Sequence, residues 1–289
     1  MRSDDSLPIG ELARRTGVNP VTLRAWERRY GLLVPDRTPK GHRLYSEAHV
    51  DKVQAILHWL ERGASVSQVR GLLESRSDAA PVLQGDWQER CQRLIEAIGS
   101  LAQRSLDQQL NQAMALYPAS TLCEQLLLPL LEHLEQRWRN GFDAALEQAF
   151  FHTWLRSKLG ARVYHDNHSL EGPPVLLATT LQQPFDAHLW LSAWLLSSSG
   201  FAVEILEHPV NTRQLVHAIG QLKPRALLLH LGPGTDIPAL LPLRNVTLMK
   251  LVGGAGVLIH EERLHALELA ALQLFETPQE ALRLLQQSR

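Results

Sequence analysis

Residues 19–31, NPVTLRAWERRYG, decide the fold of the N-terminal part of this 289-residue chain. Asn19 before Pro20 marks a helix start, because the asparagine side chain can accept a hydrogen bond from a free first-turn amide and proline needs no partner there. Gly31 ends the helix near Tyr30, since glycine readily adopts the left-handed conformation of a helix end. The preceding segment 7–17 has apolar residues on one helical face and also ends in glycine. Two short helices joined by a tight turn predict a helix-turn-helix.

Positive charge is concentrated in and around this motif. Residues 14–43 contain eight arginines and lysines but two acidic residues, a net of +6, whereas the whole chain has a formal net charge of −1. A local basic patch on a nearly neutral chain predicts a nucleic-acid-binding module joined to something else.

The second helix supplies the first set of candidate DNA contacts. Arg24 and Arg28 are four residues apart and project from one face, which can enter a major groove where arginine matches guanine O6 and N7. Trp26 and Tyr30 share another face and either pack on the core or meet a phosphate. Val18, Val21 and Leu23 are expected to pack the helix into its own domain. The candidate DNA-binding residues of this helix are Thr22, Arg24, Trp26, Arg28, Arg29 and Tyr30.

The segment that follows predicts a hairpin. Residues 32–45 are short of helix formers and contain two prolines and Gly41. Such a wing can reach flanking phosphates or the minor groove. Its candidate DNA-binding residues are Arg37, Lys40, His42, Arg43 and Tyr45.

Composition and periodicity divide the chain into three folded parts. We predict the DNA-binding domain at 1–75, a linker at 76–86, a helical bundle at 87–170 and an α/β domain at 171–289. In the last part, apolar runs alternate five times with helical segments, which predicts a doubly wound, five-stranded parallel sheet. The predicted strands are 175–180, 202–206, 226–231, 247–252 and 271–275, and the helices are about 186–198, 212–222, 236–242, 260–269 and 278–287.

Several classes of protein are disfavoured. No run of 18 apolar residues exists and the N-terminus lacks an apolar signal core, so we expect a cytoplasmic protein that contacts no membrane. No zinc spacing, phosphate-binding loop or dinucleotide fingerprint follows a predicted strand, so we assign no metal and no catalytic residue.

The N-terminal motifs resemble the MerR family of transcription regulators. Residues 9–13 (IGELA), 21–32 (VTLRAWERRYGL) and 41–45 (GHRLY) all look like that family's winged helix-turn-helix. The resemblance implies a dimer, or a tetramer, on a pseudo-palindromic site in double-stranded promoter DNA. The alternative is that the arginines only solvate a helix surface, which leaves the ordered wing sequence unexplained.

The C-terminal half resembles the cobalamin-sensing, light-responsive branch of the same family and its flavodoxin-like cofactor domain. That resemblance makes His188 the lower axial ligand of the cobalt, with Asp186 beside it. The chain departs from the family pattern in three places: Leu191 stands where the motif has glycine, His230 stands where it has serine, and the stretch Glu147-Gln148-Ala149 lacks the histidine of the family's Glu-His pair. The matching residues are His188, Asp186, Trp138, Glu147, Gly253 and Gly254.

The departures leave the signal open. We expect no bound cofactor and control by a partner protein, such as an anti-repressor, with RNA polymerase as a further partner. The alternative is a light-responsive repressor that holds adenosylcobalamin through His188, and a third hypothesis is a corrinoid enzyme module, which the N-terminal motif disfavours. Trp190 and Trp194 either pack in the core or fill a ligand-free pocket and dock a partner.

Overall fold

The computed structural model describes residues 6–74, 84–139 and 144–288. Contacts divide the chain into two compact units, Met1–Phe150 and Phe151–Arg289, which we describe separately. The predicted linker 76–86 lies outside the described residues as far as 83. Its last three residues belong to a helix that begins at Gln84.

The first unit opens with the predicted pair of helices, α1 (Ile9–Thr16) and α2 (Pro20–Tyr30). Gly17 ends α1 with a φ of +71°, a left-handed conformation that favours glycine. The Asn19 side chain then accepts a hydrogen bond from the Val21 amide at 2.8 Å and so starts α2. The local sequence signals therefore fix both ends of the turn.

A small hairpin and two helices complete this segment. Strands β1 (Asp36–Arg37) and β2 (Arg43–Leu44) pair antiparallel. Helices α3 (Glu47–Glu61) and α4 (Val66–Glu74) follow. The arrangement is a winged helix-turn-helix, as the sequence predicts.

The rest of the first unit is helical. Its elements are α5 (Gln84–Gly99), α6 (Gln103–Met114), α7 (Ala119–Leu122), a π-helical stretch (Cys123–Leu127), α8 (Leu128–Trp138) and the beginning of α9 (Ala144–Asn167). The leucine stripe that the sequence shows in 126–134 is buried. It forms the apolar core of the bundle.

The second unit is the predicted parallel sheet. Its strands are β3 (Val175–Thr179), β4 (Val203–Leu206), β5 (Ala226–His230), β6 (Met249–Gly253) and β7 (Leu272–Leu274), in the spatial order β4-β3-β5-β6-β7. Every residue of β3 and β5 is buried, as expected for central parallel strands covered on both faces. The helices are α10 (Ala187–Ser198), α11 (Thr212–Leu222), a 3-10 helix (Ile237–Asn245), α12 (Ala255–Ala266) and α13 (Pro278–Gln287).

Two helices of this unit differ from the prediction. Ile237–Asn245 is a 3-10 helix with Pro242 inside it, because proline cannot supply the amide of a regular α-helical turn. Helix α12 begins at Ala255, five residues before the predicted start, directly after Gly254. Among the described residues, no helix has the length and apolarity that a membrane span needs.

Candidate functional site

Helix α2 has one face turned inward and one turned outward. Leu23 and Trp26 are fully buried, whereas Arg24, Arg28 and Arg29 are exposed. The three arginine side chains form no ion pair or hydrogen bond with any residue that the structure describes. Their charge is therefore available to a ligand outside the chain.

Glu27 joins this helix to the wing. Its carboxylate accepts a hydrogen bond from Arg43 Nε at 2.6 Å and one from Arg37 Nη2 at 3.3 Å. The contact with Glu27 raises the pKa of Arg43 above its ordinary value, mainly through the hydrogen bond. Both strands of the hairpin are thus held against α2 by one acidic side chain. Lys40 and His42 remain exposed at the tip.

Burial removes some of the predicted contacts from the predicted DNA-binding surface. Thr22, Trp26 and Tyr45 are at most 2% exposed, so these side chains cannot reach DNA in this conformation. Tyr30 is half-buried and lies four residues from Trp26, on the same face of α2. The prediction that Thr22, Trp26 and Tyr45 contact DNA is therefore wrong, because these side chains pack inside the first unit.

The prediction for Val21 is also wrong, in the opposite direction. We expected this side chain to pack the helix into its domain, but it is 56% exposed. Helical spacing could have shown this, because Val21 lies three residues before Arg24 and therefore on the face of that arginine.

Trp26 connects α2 to the helical bundle of the same unit. Its Nε1 donates a hydrogen bond to the carbonyl oxygen of Leu116 at 2.8 Å. A second buried tryptophan bond runs from Trp87 Nε1 to the carbonyl of Gly63, at 3.0 Å. The Trp87 and Tyr117 rings pack 4.6 Å apart between their centroids. Buried aromatic side chains thus pack behind α2 and between the elements of the first unit.

Two predicted cofactor residues of the first unit contact each other. Trp138 Nε1 donates a hydrogen bond to Glu147 at 3.2 Å, and Arg137 donates to the other carboxylate oxygen at 2.6 Å. Glu147 is buried. Its carboxylate is therefore satisfied by side chains of its own unit.

The other predicted cofactor residues belong to the second unit, where Asp186 caps α10. Its carboxylate accepts hydrogen bonds from the Leu189 amide and from Thr179 Oγ1, both at 2.9 Å. His230 Nδ1 lies 3.3 Å from the same carboxylate. Burial alone would raise the pKa of Asp186, but His230 and the hydrogen bonds outweigh it and lower the pKa to about 2.

His188 lies in the first turn of α10 and is half-buried. Its carbonyl oxygen accepts a hydrogen bond from Ser192 at 2.8 Å. The motif thus forms a capped helix start, and the glycine position of the family motif is filled by the fully buried Leu191.

The glycine pair at the end of β6 is packed against the chain itself. A Cβ on Gly253 would lie 2.4 Å from the ring of Phe275, and one on Gly254 would lie 2.8 Å from the carbonyl oxygen of Leu231. The Phe275 ring also packs on His230, with centroids 5.6 Å apart. His230 Nε2 is buried and has no hydrogen-bond partner among the residues that the structure describes. At these motif positions the chain packs against itself, with Leu191 buried and Phe275 seated between Gly253 and His230, and this arrangement does not fit a group bound there.

The sequence did not predict the contact of Phe275 with Gly253 or the ion pairs that Glu27 forms with the wing. Phe275 lies beyond the cofactor motif, and only the parallel pairing of β6 with β7 brings it beside Gly253. Glu27 has opposite charge to its neighbours in the basic segment, which was the available signal for an internal ion pair.

Comparison with known proteins gives two family matches. Residues 7–76 match the family described as "MerR HTH family regulatory protein", and residues 90–162 match the family described as "B12 binding domain". The HTH-type transcriptional regulator MlrA of Escherichia coli is 32% identical over 70% of this chain and 80% of its own length. The HTH-type transcriptional repressor CarH of Myxococcus xanthus is 25% identical over 75% of each chain. A solved cobalamin-binding protein from Desulfitobacterium hafniense is 17% identical over 70% of this chain and 98% of its own, with a TM-score of 0.36.

Proposed function

We infer the function from one premise: this chain belongs to the MerR family of helix-turn-helix transcription regulators. It is a DNA-binding regulator with a B12-binding-type half.

We propose that α2 lies in the major groove with Arg24, Arg28 and Arg29 toward the DNA. The observation that carries this proposal is that the three exposed arginines have no partner among the described residues, although each carries a full charge. In a helix-turn-helix, the second helix meets the base edges. Lys40 and His42 then contact flanking phosphates, with Arg37 and Arg43 holding the wing in place through Glu27.

The binding site should be an inverted repeat bound by two copies of the chain, or by a multiple of two. A regulator with two-fold symmetry meets two half-sites about one helical turn apart, or a multiple of that distance. Selection of duplexes from random sequence would give the repeat and its spacing.

Alanine variants assayed on the selected duplex test the contacts. Arg24→Ala and Arg28→Ala should each weaken binding about tenfold to a hundredfold, the usual loss for a base-contacting arginine. Lys40→Ala should weaken binding to every duplex alike and lower the salt dependence by about one unit of slope. Arg213→Ala, at an exposed arginine of α11, is the matched control and should bind as the wild type does. Wild-type affinity of both helix variants would refute this assignment.

For the C-terminal half, we propose control by a partner protein and not by cobalamin. The packing of Phe275 on Gly253 supports this, because the glycines serve close contacts within the chain. The competing function is a light-responsive repressor that holds adenosylcobalamin through His188. In that case we expect the Phe275 ring to move away from Gly253.

A further inference from the structure

Val21 is the exposed apolar residue on the DNA-facing side of α2. Its side chain is 56% exposed, and its amide is fixed by a hydrogen bond to the Asn19 side chain at 2.8 Å. A single exposed valine is ordinary on a protein surface. This one is distinguished by its position, in the first turn of the helix that the proposed function places in the major groove.

The helix groups Val21 with two of the three exposed arginines. Arg24 and Arg28 follow it by three and seven residues, which is the spacing of one helical face. Trp26 is fully buried and so marks the opposite side. The outer face of α2 therefore presents a methyl-bearing side chain near its N-terminus and two guanidinium groups farther along.

We propose that Val21 recognises a thymine by contact with its C5 methyl group. This proposal rests on the proposed function. In the major groove, thymine alone of the four bases carries a methyl, and apolar side chains recognise it. The N-terminal residues of a recognition helix are those that reach base edges. Contact with the methyl would bury the apolar surface that Val21 exposes to water in the free protein.

The spacing along the helix places this thymine relative to a guanine. Three residues advance an α-helix by about 4.5 Å, whereas successive base pairs are about 3.4 Å apart. The thymine should therefore lie one to two base pairs from the guanine that Arg24 contacts. Each half-site of the inverted repeat should contain this pair once.

Replacing single thymines by deoxyuridine tests the proposal, because deoxyuridine lacks only the methyl group. Each thymine of the selected duplex is replaced in turn, and the affinity is measured for the wild type and for Val21→Ala. At one thymine position in each half-site, the replacement should weaken wild-type binding about threefold to fivefold. The same replacement should change Val21→Ala binding by less than about twofold, since the methyl has then lost its contact.

Val210→Ala is the matched control, because it removes a partly exposed valine from the second unit. That variant should keep the full wild-type response to deoxyuridine. Specific binding with no deoxyuridine effect, or an undiminished effect in Val21→Ala, would overturn the proposal and leave the proposed function standing. Binding with no preference for any duplex would overturn both.

Discussion

At the scale of single residues, the buried Asp186–His230 pair sets a pH dependence of stability. The pKa of Asp186 is lowered from 3.8 to about 2 in the folded chain. A carboxyl with a depressed pKa stabilises the folded state above its unfolded pKa, and this contribution is lost as the pH falls toward the folded value. The free energy of unfolding of the second unit should therefore fall between about pH 4 and about pH 2.

Asp186→Asn isolates this effect. The variant should be less stable than the wild type at pH 6 and should lose less of its stability on acidification, because asparagine does not titrate. Chemical denaturation at a series of pH values measures both quantities. Parallel pH profiles of the two proteins would contradict the assignment of the pair.

The residue scale also shows what the sequence can and cannot predict. The exposed arginines of α2 follow from helical spacing alone, which needs no knowledge of the fold. The salt bridges from Glu27 to Arg37 and Arg43 depend on a hairpin folding back over the helix. Periodicity gives no distance between a helix and a hairpin, so these partners could not be predicted.

At the scale of elements, α2 has an exposed face that we propose meets DNA and a buried face that packs on the helical bundle of the first unit. From the sequence, Trp26 either packs in the core or contacts a phosphate. In the structure it is buried, and its Nε1 donates a hydrogen bond to the carbonyl oxygen of Leu116. A residue predicted for recognition can thus support the helix from within. The end of β6 shows the same difficulty, because Gly253 and Gly254 match a ligand motif and yet serve contacts to Phe275 and Leu231.

Trp26→Phe tests the support of α2. Phenylalanine has a smaller ring and cannot donate the hydrogen bond to the buried Leu116 carbonyl, so the free energy of unfolding should fall by about 1–2 kcal/mol for the lost bond, in addition to the loss for the smaller ring. The affinity for DNA, measured where the variant is still folded, should stay within about twofold, since the exposed face of α2 is unchanged.

Trp194→Phe is the control for this change. That tryptophan is also buried, but in the second unit, and its indole forms no hydrogen bond with a described residue. Chemical denaturation should show a smaller loss for Trp194→Phe than for Trp26→Phe. An equal loss would mean that the Leu116 bond contributes nothing particular.

At the scale of the whole molecule, the alternation of strands and helices was enough to predict the parallel sheet. The five predicted strands all form, and their ends agree with the structure to within two residues. The same alternation does not show whether this unit binds a cofactor. A motif records which residues are present, whereas binding depends on whether space remains between them.

The proposal that the C-terminal half works without cobalamin makes a simple prediction. After incubation with adenosylcobalamin in the dark and removal of free cofactor, the full-length protein should show no cobalamin absorption. The physical reason is that Phe275 packs on Gly253 and His230, at positions of the cofactor motif. A coloured protein whose absorption changes in His188→Ala would contradict this proposal and show that the chain holds the cofactor through His188, as the light-responsive alternative requires.

The central claim is that α2 and the wing lie against duplex DNA, and hydroxyl-radical footprinting of the protein tests it most directly. Oxidation of Arg28 and His42 should fall several-fold when the selected duplex is bound, because DNA would cover both side chains. Oxidation of His208 and Leu258, which are about three-quarters exposed in the second unit, should stay the same. Unchanged oxidation of Arg28 and His42 in a fully bound sample would contradict the account.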